Sequence, residues 1–282
     1  MPLPDFVIVG TCKSGSTSLH QNLRKHPDLY TPSNEVHYFY SRAQGRYNEG
    51  PEWYERHFDE AEDGQTVGEK TPLYARVPEV ASRMHEMLPE AQLVWIFRDP
   101  VQRAHSHYWF NVNLGKEPCS FERALQQERA GEREEDVERA YLRTGLYAEQ
   151  VERYLEWFSI DSMFFCTLRE LKSEPAKLFG RLYNFLGVDH EFADRIHSEQ
   201  RKTTTHTPYS PWLRHVVLSH FGGQSLARKI EYKLNSRPSS GYPEMDDTVK
   251  QDLYDFYASP NQRLREITGL QVEHWNAARL SK

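Results

Sequence analysis

Phe6-Val-Ile-Val-Gly-Thr-Cys-Lys-Ser-Gly-Ser-Thr-Ser18 joins a short apolar strand to a loop of small residues, and a helical pattern begins directly behind it near Leu19. Small residues let the main chain curl until successive N–H groups converge on one anion, and the helix N-terminus adds its partial positive charge. The spacing Gly10-x4-Gly15 repeats the skeleton of a nucleotide-triphosphate loop, but Ser16-Thr17 stand where that motif needs Lys followed by Ser or Thr. The lysine lies inside the loop instead, at Lys13. That displacement points to a nucleotide whose transferred group is not an ATP γ-phosphate. An ordinary strand-to-helix turn rich in small residues is the plainer alternative, because short glycine motifs are weak alone.

Downstream, apolar runs alternate with helical patterns. An amphipathic helix is expected at about Thr17 to Lys25, a short strand at Thr66 to Glu69, and a helix from Val77 to Leu88. Gln92-Leu-Val-Trp-Ile-Phe97 is too short for a helix and apolar throughout, the pattern of a parallel strand buried on both faces. Asp99-Pro100 supplies an N-cap and an N1 proline for a helix to about Val112. Gly131 to Arg139 reads as a solvated helix or loop, Tyr147 to Phe158 as a helix, Met163 to Thr167 as a strand, and Pro175 to Leu186 as a helix closed by Gly187. This β-α repetition predicts a mainly parallel sheet covered by helices. In the last third, Thr203 to Pro208 reads as turns, Trp212 to Phe221 and Leu226 to Leu234 as helices, Arg237 to Gly241 as a loop, and Val249 to Tyr257 and Asn261 to Ile267 as two more helices.

A chain of 282 residues with 38% hydrophobic content can bury one large core, so two full domains are not required. A net charge of −6 argues against sequence-independent nucleic-acid binding, which needs a basic face. Cys12, Cys119 and Cys166 are scattered, with no spacing that suggests a disulfide framework or a metal site. No apolar run approaches the ~18 residues of a membrane span, and no signal peptide is evident, so a soluble, cytoplasmic protein is expected.

Three further segments carry chemistry. In Ile96-Phe-Arg-Asp-Pro-Val-Gln-Arg-Ala-His-Ser106, Arg98 ends a buried strand where ligands of open parallel sheets gather, and Ser106 lies two turns into the next helix. Arg98 can clamp a phosphate with paired N–H bonds and Ser106 can add a hydroxyl; a structural ion pair for Arg98 and a surface place for Ser106 are the alternatives. Asp99 is read as a helix cap rather than a magnesium-holding acid. In Asn34-Glu-Val-His-Tyr-Phe39, Glu35 and His37 share one side if the segment is extended, and two titratable groups there can take a proton from an acceptor or orient the base that does. The polar face of an edge strand explains that pattern equally well. Gly68-Glu-Lys-Thr-Pro72 with Tyr74 sets Lys70 behind a short strand, where a solvated lysine is the usual alternative.

In order along the chain, these segments resemble the family of sulfotransferases that use 3′-phosphoadenosine 5′-phosphosulfate (PAPS). The nearest branch is that of the heparan sulfate glucosaminyl 3-O-sulfotransferases and N-sulfotransferases. The resemblance is carried by Val9-Gly-Thr-Cys-Lys-Ser-Gly-Ser-Thr, His26-Pro-Asp28, Asn34-Glu-Val-His-Tyr-Phe, Glu69-Lys-Thr-Pro-x-Tyr74 and Arg98-Asp-Pro-x-x-Arg-x-x-Ser-x-Tyr108, with weaker echoes at Gly145-Leu-Tyr, Trp157-Phe158 and Phe185-Leu-Gly187. It covers about residues 5 to 188. It implies an α/β, P-loop-like three-layer fold, with a central mainly parallel sheet flanked by helices and a helical C-terminal third. That would be a single sulfotransferase domain over 1–282 with a helical insert at about 204–236.

By the same resemblance, Lys13, Ser14, Gly15, Ser16, Thr17 and Ser18 would hold the 5′-phosphosulfate, Arg98 and Ser106 would bind the 3′-phosphate, Glu35 would be the general base, and His37 and Lys70 would line the active site. PAP would be the co-product, and no metal would be required. The last third departs from the branch, whose Lys-Gly-Arg stretch near the cofactor and disulfide hairpin have no counterpart here; Arg201-Lys202 and Arg237 are candidates for that contact, and spacing does not choose between them. A P-loop kinase would require a lysine where Ser16 stands, and a non-enzymatic nucleotide-binding regulator would bind PAP without transfer. Small-molecule, lipid, glycan and carrier-bound acceptors are all open, as are a hydroxyl or an amine as the accepting group and the oligomeric state. The aromatics of the insert, Tyr209, Trp212, Phe221 and Tyr232, suit either an acceptor cleft or core packing.

Overall fold

Strand β1 (Phe6–Gly10) is buried along its whole length, and it takes the middle of a five-stranded sheet rather than its edge. The computed structural model describes residues 3–41, 45–134, 136–196, 205–221, 226–239 and 241–275. The other strands are β2 (Leu29–Tyr30), β3 (Thr66–Lys70), β4 (Gln92–Phe97) and β5 (Met163–Thr167), in the order β2-β3-β1-β4-β5, every pair parallel. The chain divides into two compact units: Met1–Arg98, Tyr147–Glu199 and Gln262–Gln271 form the first, and Asp99–Leu146, Gln200–Asn261 and Val272–Lys282 the second.

In the first unit the two-residue period of the strands sends alternate side chains to opposite faces. Phe6, Ile8, Val94, Ile96, Phe164 and Cys166 pack with Leu19, Leu23, Leu178, Phe179 and Leu182 from the helices Ser16–Leu23 and Pro175–Leu186. On the other face, Trp95 meets Tyr154 with ring centroids 5.0 Å apart and Phe97 meets Tyr147 at 4.9 Å, both tyrosines on the helix Tyr147–Leu155. Helices therefore flank both faces, as the continuous apolar strands require. In the parallel register Ile8 lies opposite Lys70 and Gly10 opposite Trp95, so β1, β3 and β4 end side by side.

The second unit is built on the helix Pro100–Asn113, which Asp99 caps by accepting from the amides of Val101 at 2.9 Å and Gln102 at 3.2 Å. Val101, Ala104, Tyr108 and Val112 pack against Phe121, Leu125, Tyr141, Leu253 and Tyr257.

Several elements differ from the sequence expectation. Phe121–Arg129 and Leu168–Ser173 are additional helices. Thr205–Pro208 and Ser236–Ser239, expected as turn and loop, pair antiparallel as β6 and β7. The two helices expected after Val249 are one, Asp247–Thr268, running through Pro260. The segment read as solvated around Gly131 to Arg139 includes Arg133, which is buried against the carboxylate of Glu117.

Candidate active site

The loop after β1 is held from below. Thr11 donates its amide to the Ile96 carbonyl at 2.9 Å, and its hydroxyl lies 2.6 Å from that of Ser14. Gly15 sits at φ 97°, and a Cβ there would approach Leu168 Cδ1 to 2.6 Å, so only glycine closes the turn without strain. Its carbonyl starts the helix Ser16–Leu23 by accepting from Leu19 at 3.0 Å, and no side chain caps that helix. Uncapped first-turn amides retain their attraction for an anion. Ser14 and Ser16 are buried, whereas Thr17 and Ser18 are exposed and can offer their hydroxyls to a ligand.

Two cations stand over this loop. Lys13 is held at φ 65°, a left-handed conformation that costs an ordinary residue about 1–2 kcal/mol. The Arg98 guanidinium donates to the Lys13 carbonyl at 3.4 Å, and its own carbonyl takes the Tyr147 hydroxyl at 2.8 Å. Burial lowers the Lys13 pKa from its ordinary value; the Cys12 thiol opposes the shift and the Arg98 charge reinforces it. Like charges gathered beside an uncapped helix N-terminus favour a multiply charged anion as ligand.

Glu35, His37 and Lys70 also come together. Lys70 ends β3 and donates from Nζ to Glu35 Oε1 at 2.6 Å, while His37 Nε2 lies 3.4 Å from Glu35 Oε2. The Glu35–His37 segment is not a strand, however. His37 turns back at φ 58°, its amide donating to Thr71 Oγ1 at 3.2 Å and its Nδ1 lying 2.7 Å from the Tyr40 hydroxyl. Burial depresses the His37 pKa first of all; Glu35 opposes this, and Lys70 and Arg46 add to it. A carboxylate oriented by an ammonium group and an imidazole, itself one-third exposed, can accept a proton from a hydroxyl delivered to it.

Beneath this trio lies a residue that sequence reasoning passed over. Glu69 is fully buried and accepts from the hydroxyls of Tyr54 at 2.8 Å, Thr71 at 3.0 Å and Tyr74 at 3.5 Å. Burial drives its pKa up to about 7 against the pull of those hydroxyls. Thr71 thus links Glu69 to the His37 backbone. No local sequence signal marks it; the parallel register sets Glu69 beside the buried Val7 in mid-sheet. His20, behind Lys70, bonds Thr31 Oγ1 at 2.8 Å, and burial together with the Lys70 and Arg24 charges lowers its pKa to about 4.

Ser106 lies buried on the helix Pro100–Asn113, in the second unit. Arg237 falls in β7, while Arg201 and Lys202 lie outside the described residues. Among the described residues no three His, Cys, Asp or Glu side chains cluster as a metal set.

The sequence profile of the sulfotransferase domain family matches residues 3–220. This chain belongs to that family. The match reaches beyond residue 188, where the quoted motifs end. The sulfotransferase is 31% identical over 266 residues to heparan sulfate glucosamine 3-O-sulfotransferase 6 of Mus musculus and of Homo sapiens, an alignment covering 94% of this chain and 72% of each relative. Against heparan sulfate glucosamine 3-O-sulfotransferase 3B1 of Homo sapiens it is 28% identical, over 95% of this chain and 64% of the relative. The crystal structure of a sulfotransferase from Alicyclobacillus acidocaldarius superimposes with a TM-score of 0.75 at 25% identity, covering 98% of this chain and 100% of that one. The enzyme therefore transfers a sulfuryl group, and the kinase reading is set aside.

Proposed function

We propose that this sulfotransferase moves the sulfuryl group of PAPS to an acceptor hydroxyl and releases PAP. The observation that carries this reading is Glu35, braced by Lys70 at 2.6 Å and His37 at 3.4 Å, at the carboxyl edge of the same sheet whose central strand feeds the Lys13 loop. The residues fit the donor: an uncapped helix start, a glycine-closed turn and two cations suit a phosphosulfate better than any neutral group. PAPS brings a sulfuryl group already bonded to a phosphate that can leave.

The loop amides and the Lys13 ammonium would meet the negative charge gained by the departing phosphate oxygen, in place before the reaction begins. Arg98 would add a second cation to the nucleotide end. The assignment of Ser106 to the 3′-phosphate rests on the sequence resemblance. Glu35 would take the acceptor's proton, with Lys70 and His37 fixing the direction of its lone pairs. The names of the relatives make a glucosaminyl glycan the first acceptor class to try.

The test is incubation with sulfur-labelled PAPS and a panel of glycan, lipid and small hydroxyl acceptors. Labelled product with at least one acceptor is expected, and Glu35→Gln should reduce turnover by about 10²–10⁴-fold while binding PAP like the parent. Equal turnover of mutant and parent would remove Glu35 from the base role.

A further inference from the structure

The two insert helices, Pro211–Phe221 and Leu226–Asn235, are built inside out. Between them lie charges and amides. Arg214, 1% exposed, donates from Nε to Glu231 Oε1 at 2.9 Å and from Nη1 to Asn113 Oδ1 at 3.2 Å. Asn235 Nδ2 donates to the same Glu231 oxygen at 2.8 Å and to the Ser210 carbonyl at 2.9 Å, and Arg228 reaches Glu231 Oε2 at 3.3 Å. The apolar residues point outward: Leu226 is 73% exposed, Ile230 51% and Leu234 73%, joined by Trp212 at 62% and Phe221 at 61%. A helix that buries Glu231 and Asn235 and exposes a leucine stripe reverses the ordinary arrangement for water. An apolar patch of this kind marks a surface that meets something other than water.

The charges around the patch identify what that is. Leu226, Ile230 and Leu234 follow one another at i, i+4 and i+8, and Lys229 and Lys233 form an exposed stripe beside them at the same spacing. The sequence 205–239 has five cations against a single carboxylate, Glu231; Arg214 and Arg228 pair with that buried carboxylate, and Lys229 and Lys233 are the cations exposed beside the apolar stripe. The whole chain has net charge −6, so this segment is opposite in sign to the rest. A second copy docking face to face would set lysine stripe against lysine stripe.

We propose that this face seats the protein on an anionic lipid bilayer. Trp212, Phe221 and the leucine stripe would enter the boundary between headgroups and acyl chains, and Lys229 and Lys233 would extend to the phosphates. Among the described residues no helix is long and apolar enough to cross a membrane, so the contact is one of lying on the surface.

Cosedimentation of the full chain with vesicles tests this. Vesicles of phosphatidylcholine mixed with phosphatidylglycerol should bind the protein, with a blue shift of tryptophan fluorescence that Trp212→Phe abolishes, and pure phosphatidylcholine should bind it far more weakly. Lys229→Gln/Lys233→Gln should weaken binding to the mixed vesicles about thirtyfold, and Trp212→Ala/Phe221→Ala about a hundredfold, with thermal midpoints close to the parent in both. The proposal is overturned if no vesicle binds the parent, if both variants bind like the parent, or if Trp212→Ala/Phe221→Ala instead abolishes a concentration-dependent dimer of the parent.

Discussion

One cluster of charges in each unit shows two opposite ways of burying ions. In the second unit Glu117 takes Arg133 Nη1 at 2.5 Å, Arg133 Nη2 at 3.1 Å and the Tyr141 hydroxyl at 2.8 Å, while Gln127 accepts from the same arginine at 2.6 Å and Asn111 reaches the tyrosine at 3.2 Å. Each charge meets its opposite. In the first unit Lys13 and Arg98 crowd two like charges over a loop of amides, and Glu35 keeps a third of its side chain open to solvent. A closed network holds a fold, whereas an open one has electrostatic room for a ligand and for a proton in transit.

The closed cluster should respond to damage through stability. Glu117→Ala leaves a buried guanidinium without its carboxylate and should lower the unfolding free energy by about 3–5 kcal/mol in urea denaturation. Replacing both partners, as Glu117→Gln/Arg133→Met, should cost much less. A loss under ~1 kcal/mol for the single change would fit an exposed pair instead and erase the contrast.

The open cluster should respond through rate. Lys70→Met keeps the length of the buried stem but removes the ammonium that orients Glu35. Turnover with saturating donor should fall about a hundredfold, ~3 kcal/mol of barrier, with little change in the thermal midpoint. A collapse in stability with unchanged turnover per folded molecule would place Lys70 in the structural class.

Glu69 is a closed carboxylate beneath the open trio. With its folded pKa near 7 against an ordinary 4.5, the folded state binds more protons across that window, so unfolding free energy should fall as pH rises from about 4.5 to about 7. The full difference is about 3 kcal/mol, and it should vanish in Glu69→Gln measured against the parent at each pH. His20 slopes the other way, its stabilisation lost as pH falls from 6.5 toward about 4, but it is common to both proteins. The smallest change expected is Asp99→Ala, which removes a helix cap and the acceptor of the Tyr254 hydroxyl and should cost about 1–2 kcal/mol of stability.

The sequence was most legible where one local signal sufficed. The apolar runs of β1, β4 and β5, the small-residue loop and the Gly187 helix stop each announce themselves within a few residues. The missed elements lack such signals. Leu29–Tyr30 is too short to show a period, Phe121–Arg129 carries its few apolar residues among charges, and the Pro208 and Pro238 positions in β6 and β7 read as breaks although edge strands tolerate them. Pro260 likewise reads as a boundary that the continuous helix ignores. At the site, the i, i+2 spacing of Glu35 and His37 was visible, but the left-handed turn that brings them together was not. Glu69 looked like one more polar residue of a short motif until the register set it in mid-sheet.

In the proposed reaction the loop around Lys13 grips the phosphate end of a doubly phosphorylated adenosine. Calorimetric titration with PAP measures this directly. The parent should bind and Lys13→Ala should bind about a hundredfold more weakly, with no loss of folding stability because the mutation relieves repulsion from Arg98. Equal affinity of the two proteins for PAP, or no binding by the parent, would contradict the account.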